Sequence, residues 1–519
     1  MNPSTSLNPQ QREAVETTRG PMLILAGAGS GKTRVIVHRI AHLIREQVPP
    51  SRIIAVTFTN KAANEMKERL SQMLGESGKG VHLSTFHSLG VRILRETIDL
   101  LGYHKNFVIY DSQDQLALIR NLMDEEGISE SPLIDPKSAQ QMIHHAKTRG
   151  TSPEELLVPN ALPRTRLAGQ LYRLYQETLK GCNALDFEDI LNFCLKLFES
   201  HADKMQEIRD RFRYVMVDEY QDTNSVQYRL LKHLVRDHRN LCVVGDDDQS
   251  IYGWRGAEPG NLFQFEKDFP DVKVVRLEQN YRSTEVILKA ANALIENNSQ
   301  RMPKTLWSEK PGGELLGWIE AEDEVLETET VVRRIRLDIM RHNRKLEEYC
   351  ILYRSNFQSR VLEESLREAK LPYRVVGGKS FFERKEIRDA LAYLKLIQNP
   401  NDLVSLQRVI NTPRRGIGKT SLMQLNACVA ETSLPVLKIM SQARKYSSIP
   451  AEAASSMEVF SALLGDFQGR FEKGNLGEVF RELLDELGYL RFLEQQSGDV
   501  KSREKRIQVV QELLSLIHI

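Results

Sequence analysis

Four short runs of consecutive apolar residues, each closed at once by glycine or polar residues, constrain this chain more than any other feature. They are Met22–Ala26, Ile53–Val56, Tyr214–Val217 and Leu241–Val244, and a fifth run, Val272–Leu277, leads into Asn280, Tyr281 and Arg282. Such lengths suit strands rather than helices. Unbroken apolarity, without polar alternation, fits strands covered on both faces, as in the parallel sheet of an α/β protein. Open parallel sheets bind ligands beyond the carboxyl ends of their strands. The residues that follow each run are therefore the ones to search for chemistry.

After the first run stands Ala26-Gly27-Ala28-Gly29-Ser30-Gly31-Lys32-Thr33, followed by Arg34 and the helical pattern of Val35–Ile44. Glycines let a backbone approach a phosphate closely and turn several N–H groups toward it. Lys32 is placed to reach the β- and γ-phosphates, and the Thr33 hydroxyl to bind Mg²⁺. The helix N-terminus adds its own preference for an anion. Ala26 departs mildly from a pattern that expects glycine there. A second glycine-lysine-threonine string, Gly416–Thr420, has no buried strand before it and reads as a turn between helices.

The third run ends in Asp218-Glu219-Tyr220-Gln221-Asp222. Beside a phosphate loop, Asp218 suits the Mg²⁺ on a nucleotide, and Glu219 suits the task of orienting and deprotonating a water. The fourth leads into Gly245–Ala257, which reads GDDDQSIYGWRGA. There the Gln249 amide is expected to contact the γ-phosphate. Tyr252, Trp254 and Arg255 combine aromatic faces with a cation, which suits stacking on unpaired bases; packing in a core is the alternative for the two rings.

Between residues 88 and 187 the pattern turns helical, as in Ser112–Met123 and Arg164–Leu179. Strand-like segments recur at Tyr349–Tyr353 and Tyr373–Val376, and helical spacing returns from residue 386 with Ile387, Leu391, Leu394 and Ile397. At roughly 150 residues per domain, 519 residues suggest three or four domains. Lys+Arg (71) nearly equals Asp+Glu (70), so any nucleic-acid contact must be local. The five cysteines (Cys182, Cys194, Cys242, Cys350, Cys428) form no C-x-x-C pair and read as buried, reduced thiols. Neither a signal sequence nor an 18-residue apolar span is found, so a cytoplasmic location is expected.

Further strings join these motifs in order: LNPQQREAV (Leu7–Val15), VTFTNKAANEM (Val56–Met66), STFHSLGVRIL (Ser84–Leu94), ALDFEDIL (Ala184–Leu191) and LEQNYRS (Leu277–Ser283). LYRSNFQSRVLEE (Leu352–Glu364) and GGKSFFERKEIRDALAYLK (Gly377–Lys395) extend the series. Together they resemble the UvrD/Rep/PcrA family of superfamily-one DNA helicases, with the triple aspartate Asp246–Asp248 slightly more Rep-like. The resemblance implies an α/β fold of RecA-like, parallel-sheet P-loop motor domains with helical accessory insertions. The first motor domain would be 1–88 and 188–282, with 89–187 as its helical insertion. The second would begin over 283–376, and 377–519 would be a larger helical domain. It also implies that Gln11 reads adenine, that Tyr281 stacks on the base and that Arg282 touches the γ-phosphate. Thr57, Phe58, Thr59 and Asn60, and then Thr85, Phe86 and His87, would grip single-stranded DNA. Packing beneath the sheet is the alternative for Phe58 and Phe86, and an ordinary capped turn for His87. Thr412–Lys419 resembles the family's helix–turn–helix contact to duplex DNA, against the alternative of a solvated basic loop.

The family's later T-x-H-x-x-K-G-L-E-F and V-x-x-T-R-A motifs do not occur here, and the chain finishes on the apolar Leu513–Ile519. The expectation is an interrupted second motor domain, with weak ATP binding, partial binding of single-stranded DNA and poor unwinding. The implied activity is ATP-driven 3′→5′ movement on single-stranded DNA and at junctions with duplex. A DNA-stimulated ATPase switch and the motor of a helicase–nuclease are the other readings. Simple nucleotide kinases need neither Trp254–Arg255 nor the Phe58 loop.

Overall fold

The computed structural model describes residues 7–258, 260–299, 301–376, 381–432, 434–496 and 500–517. Its first compact unit comprises 1–314, 395–407 and 418–461, and its second comprises 315–394, 408–417 and 462–519.

The first unit is built on a six-stranded sheet. In chain order the strands are β1 (Met22–Ala26), β2 (Ile53–Thr57), β3 (His82–Thr85), β6 (Tyr214–Val217), β7 (Leu241–Gly245) and β8 (Lys273–Leu277); β4 (Val108–Ile109) and β5 (Ala184–Leu185) pair separately. The spatial order is β3-β2-β6-β7-β1-β8, with every pairing parallel. All five apolar runs are strands, within one residue at each end. Successive side chains of a strand point to opposite faces, which splits each run between two cores. Leu23, Leu25, Ile54, Val56, Val215, Val217 and Val243 enter one. Met22, Ile24, Ala26, Ile53, Ala55, Met216 and Val244 enter the other. Ala26 is thus a strand residue whose methyl lies in a core, which explains the departure from glycine.

Helices α1 (Pro9–Glu16), α2 (Lys32–Arg45) and α3 (Asn60–Leu74) contribute to the second core, and α4 (Phe86–Thr97) to the first. The helical insertion holds α5 (Ser112–Glu125), α6 (Pro136–Thr148), α7 (Pro153–Leu156) and α8 (Pro163–Gly181), and α9 (Phe187–Ser200) returns the chain to the sheet. The insertion has its own core, including Tyr110, Ile119, Ile143, Leu171 and Tyr175. Asp186 and Asp189, from the ALDFEDIL string, form the capping box of α9. Their carboxylates also receive the fully buried Lys147 ammonium of α6, at 2.5 and 2.8 Å. Tyr175 donates to Asp186 and Gln176 to Asp189.

Two expectations need correction in the second unit. Tyr349–Tyr353 and Tyr373–Val376 are not strands. A parallel strand depends on neighbours to complete its ladder, and among the described residues neither segment has one. Leu352 and Val376 are accordingly exposed, and so is Cys350, unlike the other four cysteines. A helix does form where the spacing from residue 386 predicts one, at Lys385–Gln398, and Glu324–His342 and Ser359–Glu368 are further helices. Over Gly416–Gly418 the chain is a turn, with Asn411 accepting from the Arg415 and Ile417 amides. Arg415 donates to the carbonyls of Val409, Ile410 and Pro413 and to the Tyr393 hydroxyl. That guanidinium holds the turn, which leaves the exposed Arg414 as the outward cation there; the side chain of Lys419 lies outside the described residues. No described helix is long and apolar enough to cross a membrane.

Removing one partner of a buried ion pair costs about 3–5 kcal/mol, because the other charge stays behind unpaired. Lys147→Met is expected to lower the local stability of α6 and α9 by that amount. Hydrogen exchange of their amides will read the loss, and Tyr175→Phe, which deletes one hydrogen bond, will cost about 1 kcal/mol.

Candidate functional site

The parallel sheet sets the carboxyl ends of β6, β7, β1 and β8 side by side, and the residues that follow these strands gather there. The loop after β1 folds tightly on itself: Ser30 donates from both its amide and its hydroxyl to the Gly27 carbonyl. Two glycines are closely covered by what surrounds them. A Cβ on Gly27 would stand 2.1 Å from Leu306 Cδ2. Gly29 has φ +68°, and a Cβ there would lie 2.6 Å from Asn280 Nδ2. Lys32 and Thr33 open α2, and Arg34 is half-buried in its first turn.

Lys32 donates from Nζ to Glu219 Oε2 at 2.7 Å and to Gln249 Oε1 at 3.3 Å. Gln221 Nε2 donates to the same Glu219 oxygen at 2.8 Å, and Gln221 Oε1 accepts the Asp246 amide at 2.9 Å. Gln249 Nε2 donates to Asp246 Oδ2. Lys32, Glu219, Gln221, Asp246 and Gln249 therefore form a closed hydrogen-bonded ring. Thr33 Oγ1 donates to Asp218 Oδ2 at 3.2 Å beside it. Burial, reinforced by the charge of Glu219, raises the pKa of Asp218 to about 6, and the same two causes raise Asp222 to about 6. Glu219 itself has φ +52°, a left-handed conformation that costs a non-glycine residue of order 1 kcal/mol. Strain of this kind concentrates at working sites.

Arg282 joins through the backbone. Asn280 donates from Nδ2 to the Ala28 carbonyl at 2.5 Å and accepts the Arg282 and Ser283 amides at 2.8 and 2.7 Å. The Tyr281 amide donates to the Gly29 carbonyl at 2.9 Å. Gln11 is buried, and its Nε2 donates to the Ser30 carbonyl at 2.9 Å. The Tyr281 ring is exposed, with its hydroxyl donating to Gln279 and accepting from Asn8. Gln221 and Asn280 stand inside motifs quoted above, but no role was assigned to either there. Their roles come from partners 25 and 252 positions away.

A groove of about 850 Å³ adjoins these loops, and Thr57, Phe58, Thr85, Phe86, His87 and Trp254 all line it. Phe58 lies 4.9 Å from Tyr252 and Tyr252 lies 6.2 Å from Trp254 between ring centroids, which makes a continuous aromatic run. Trp254 and neighbouring Ile251 are 63% and 73% exposed, too open for core residues. Phe86, by contrast, belongs to the sheet core, so the packing alternative describes its ring. Thr59 caps α3 by accepting the Ala62 amide, Asn60 begins that helix on the surface, and neither is among the residues lining the groove. Thr85 caps α4 through the Ser88 amide. His87 meets Phe187 edge-on at 5.8 Å, and burial lowers its pKa. Thr57 Oγ1 and Asp222 Oδ1 are buried with no hydrogen-bond partner among the described residues, and both residues border the groove. The side chain of Arg255 lies outside the described residues.

Comparison with known proteins agrees with this geometry. Residues 7–270 match the UvrD/REP helicase N-terminal domain, and residues 275–518 match the UvrD-like helicase C-terminal domain. The ATP-dependent DNA helicase PcrA of Bacillus subtilis is 42% identical over 513 residues, covering 99% of this chain and 69% of that protein. PcrA of Staphylococcus aureus is 41% identical over 511 residues, covering 98% and 69%. PcrA of Staphylococcus epidermidis is 41% identical over 515, covering 98% and 70%. With two family domains in sequence and this identity along nearly all of its length, the chain belongs to the UvrD/Rep helicase family.

Proposed function

We propose that this chain is an ATP-dependent 3′→5′ DNA translocase and helicase that works in the cytoplasm on single-stranded DNA and at junctions with duplex. The observation that carries the proposal is the closed ring around Lys32 and its continuity with the groove. Gln249 belongs to the ring, and Tyr252 and Trp254 lie three and five residues further along the same loop. A change at the phosphate end is thereby delivered to the aromatic end over a short, tied stretch of backbone. The division into motor segments (1–88 with 188–282, and 283–376) and helical insertions (89–187 and 377–519) is part of this reading.

In the proposed reaction the loop Ala26–Thr33 holds the triphosphate by its backbone N–H groups, with Lys32 turning its ammonium to the β- and γ-phosphates. Lys32 and Glu219 are paired at 2.7 Å, so an arriving phosphate competes for the lysine and frees the carboxylate. Glu219 then accepts a proton from the attacking water, while Gln249 and Arg282 stabilise charge developing on the γ-phosphate. Tyr281 and Gln11 hold the adenine. Thr33 and Asp218 would hold Mg²⁺, and the buried, destabilised carboxylate of Asp218 suits a cation partner. Bound there, Mg²⁺ supplies charge neutralisation of the phosphates. Trp254, Tyr252 and Phe58 offer faces for unpaired bases. Thr57, Thr85 and His87 offer polar contacts at the groove wall.

Three measurements test this reading. Glu219→Gln is expected to reduce DNA-stimulated ATP hydrolysis by about 10²–10⁴-fold while leaving ATP binding in place, and an unchanged rate would remove Glu219 from the reaction. Trp254→Ala is expected to weaken single-stranded DNA binding by about 1–3 kcal/mol, read as a Kd increase of roughly 5- to 150-fold. Strand displacement on duplexes with a 3′ or a 5′ tail supplies the directional test. Equal use of both tails would contradict 3′→5′ movement.

A further inference from the structure

Residues 301–307 carry no motif noticed in the sequence, yet they grip three loops of the nucleotide site. Lys304 is almost fully buried, with Nζ at 2.8, 2.6 and 2.7 Å from carboxylate oxygens of Asp246, Asp247 and Asp248. A lysine ammonium has three N–H donors and no acceptor, so each aspartate receives one. Arg301 takes Asp248 in a two-point contact at 3.0 and 2.7 Å, and the Met302 amide donates to the second oxygen of Asp247 at 2.7 Å. Three close carboxylates resemble a cation site, but the cation present is the side chain of Lys304. Burial works against that ammonium, and the three carboxylates outweigh it, leaving the pKa of Lys304 raised. Two residues on, Leu306 covers Gly27. Trp307 then donates its amide to the Glu278 carbonyl and accepts the Asn280 amide at 2.7 Å.

Asp246 is the joint between this segment and the ring. Its Oδ1 meets Lys304 and accepts the Asp248 amide at 3.2 Å, its Oδ2 accepts from Gln249, and its own amide donates to Gln221. The direction of that carboxylate decides which way the Gln249 amide faces, and so whether Gln249 Oε1 meets Lys32. We propose that Lys304 is a positioning residue for ATP hydrolysis, acting through Asp246 to hold Gln249 in its productive orientation. The inference deepens the proposed function and rests on Gln249 being the contact to the γ-phosphate. Without Lys304, three carboxylates face one another, with Arg301 as the close cation still paired to them among the described residues. Asp246 then reorients, and Gln249 follows it.

A double-mutant cycle on the full chain decides the matter. ATPase activity is measured with saturating single-stranded DNA for the parent, Lys304→Met, Gln249→Ala and the combined variant. The expected result is that K304M lowers kcat by about tenfold or more with KM for ATP changed less than about threefold. Added to Q249A, it is expected to cost almost nothing further, because groups acting as one unit are non-additive. A K304M loss of the same factor in both backgrounds, or a KM effect without a kcat effect, would overturn the proposal. A Q249A chain with unaltered kcat would overturn the γ-phosphate reading, and the Lys304 proposal with it. If K304M fails to fold, Asp246→Asn takes its place in the same cycle, with the same expected and overturning outcomes. Lys304→Arg, which keeps the charge but not the three-point fit, is expected to recover part of kcat.

Discussion

The parallel seating of β1 between β7 and β8 is the constraint on which the rest depends. Leu23 and Leu25 of β1 pair in register with Val243 and Gly245 of β7, and Ala26 pairs with Leu277 of β8. Since all strands run the same way, three chain segments leave the sheet at the same edge. One becomes the phosphate loop, one becomes the Asp246–Gln249 turn, and one becomes the Asn280–Arg282 hook. Beside β7, β6 delivers Asp218 and Glu219 to the same edge. Residues up to 252 positions apart in sequence thereby become hydrogen-bond partners without any long-range search by flexible loops.

Electrostatics at that edge is unbalanced by design of the fold. Lys32 lowers the pKa of Asp218 and of Asp222, yet in both it is outweighed by burial and by the charge of Glu219. A second cation group sits further back, where Lys304 and Arg301 meet Asp246–Asp248. Asp246 stands between the two, sharing one oxygen with each side. The triple aspartate of the sequence is therefore a wiring element, tied to a lysine some sixty positions onward.

Much of this was legible in the residues alone. The five buried strands announced themselves because apolarity on both faces leaves an unbroken run. Lys32, Asp218, Glu219 and Gln249 were found because each follows such a strand. β3 was missed: its side chains alternate between buried and half-buried, so no run marks it. Tyr349–Tyr353 and Tyr373–Val376 show the opposite failure, apolar segments with strand composition that make no ladder among the described residues, since a strand is a relation between segments and not a property of one. Phe86, a base contact by the resemblance, packs into the sheet core and also lines the groove. Gln221 and Lys304 were invisible for one reason: they are joined to partners far off in sequence, and a glutamine or a lysine in a polar stretch carries no local signature.

Asn280 has one more implication. Its side chain binds the Ala28 carbonyl on one side and the Arg282 and Ser283 amides on the other, so the hook is riveted to the loop proposed to meet phosphate. The Arg282 backbone is thereby tied to the loop that carries Lys32. In the proposed reaction, reaching the γ-phosphate is then a matter of rotating the Arg282 side chain, on the timescale of rotamers rather than of domain swings.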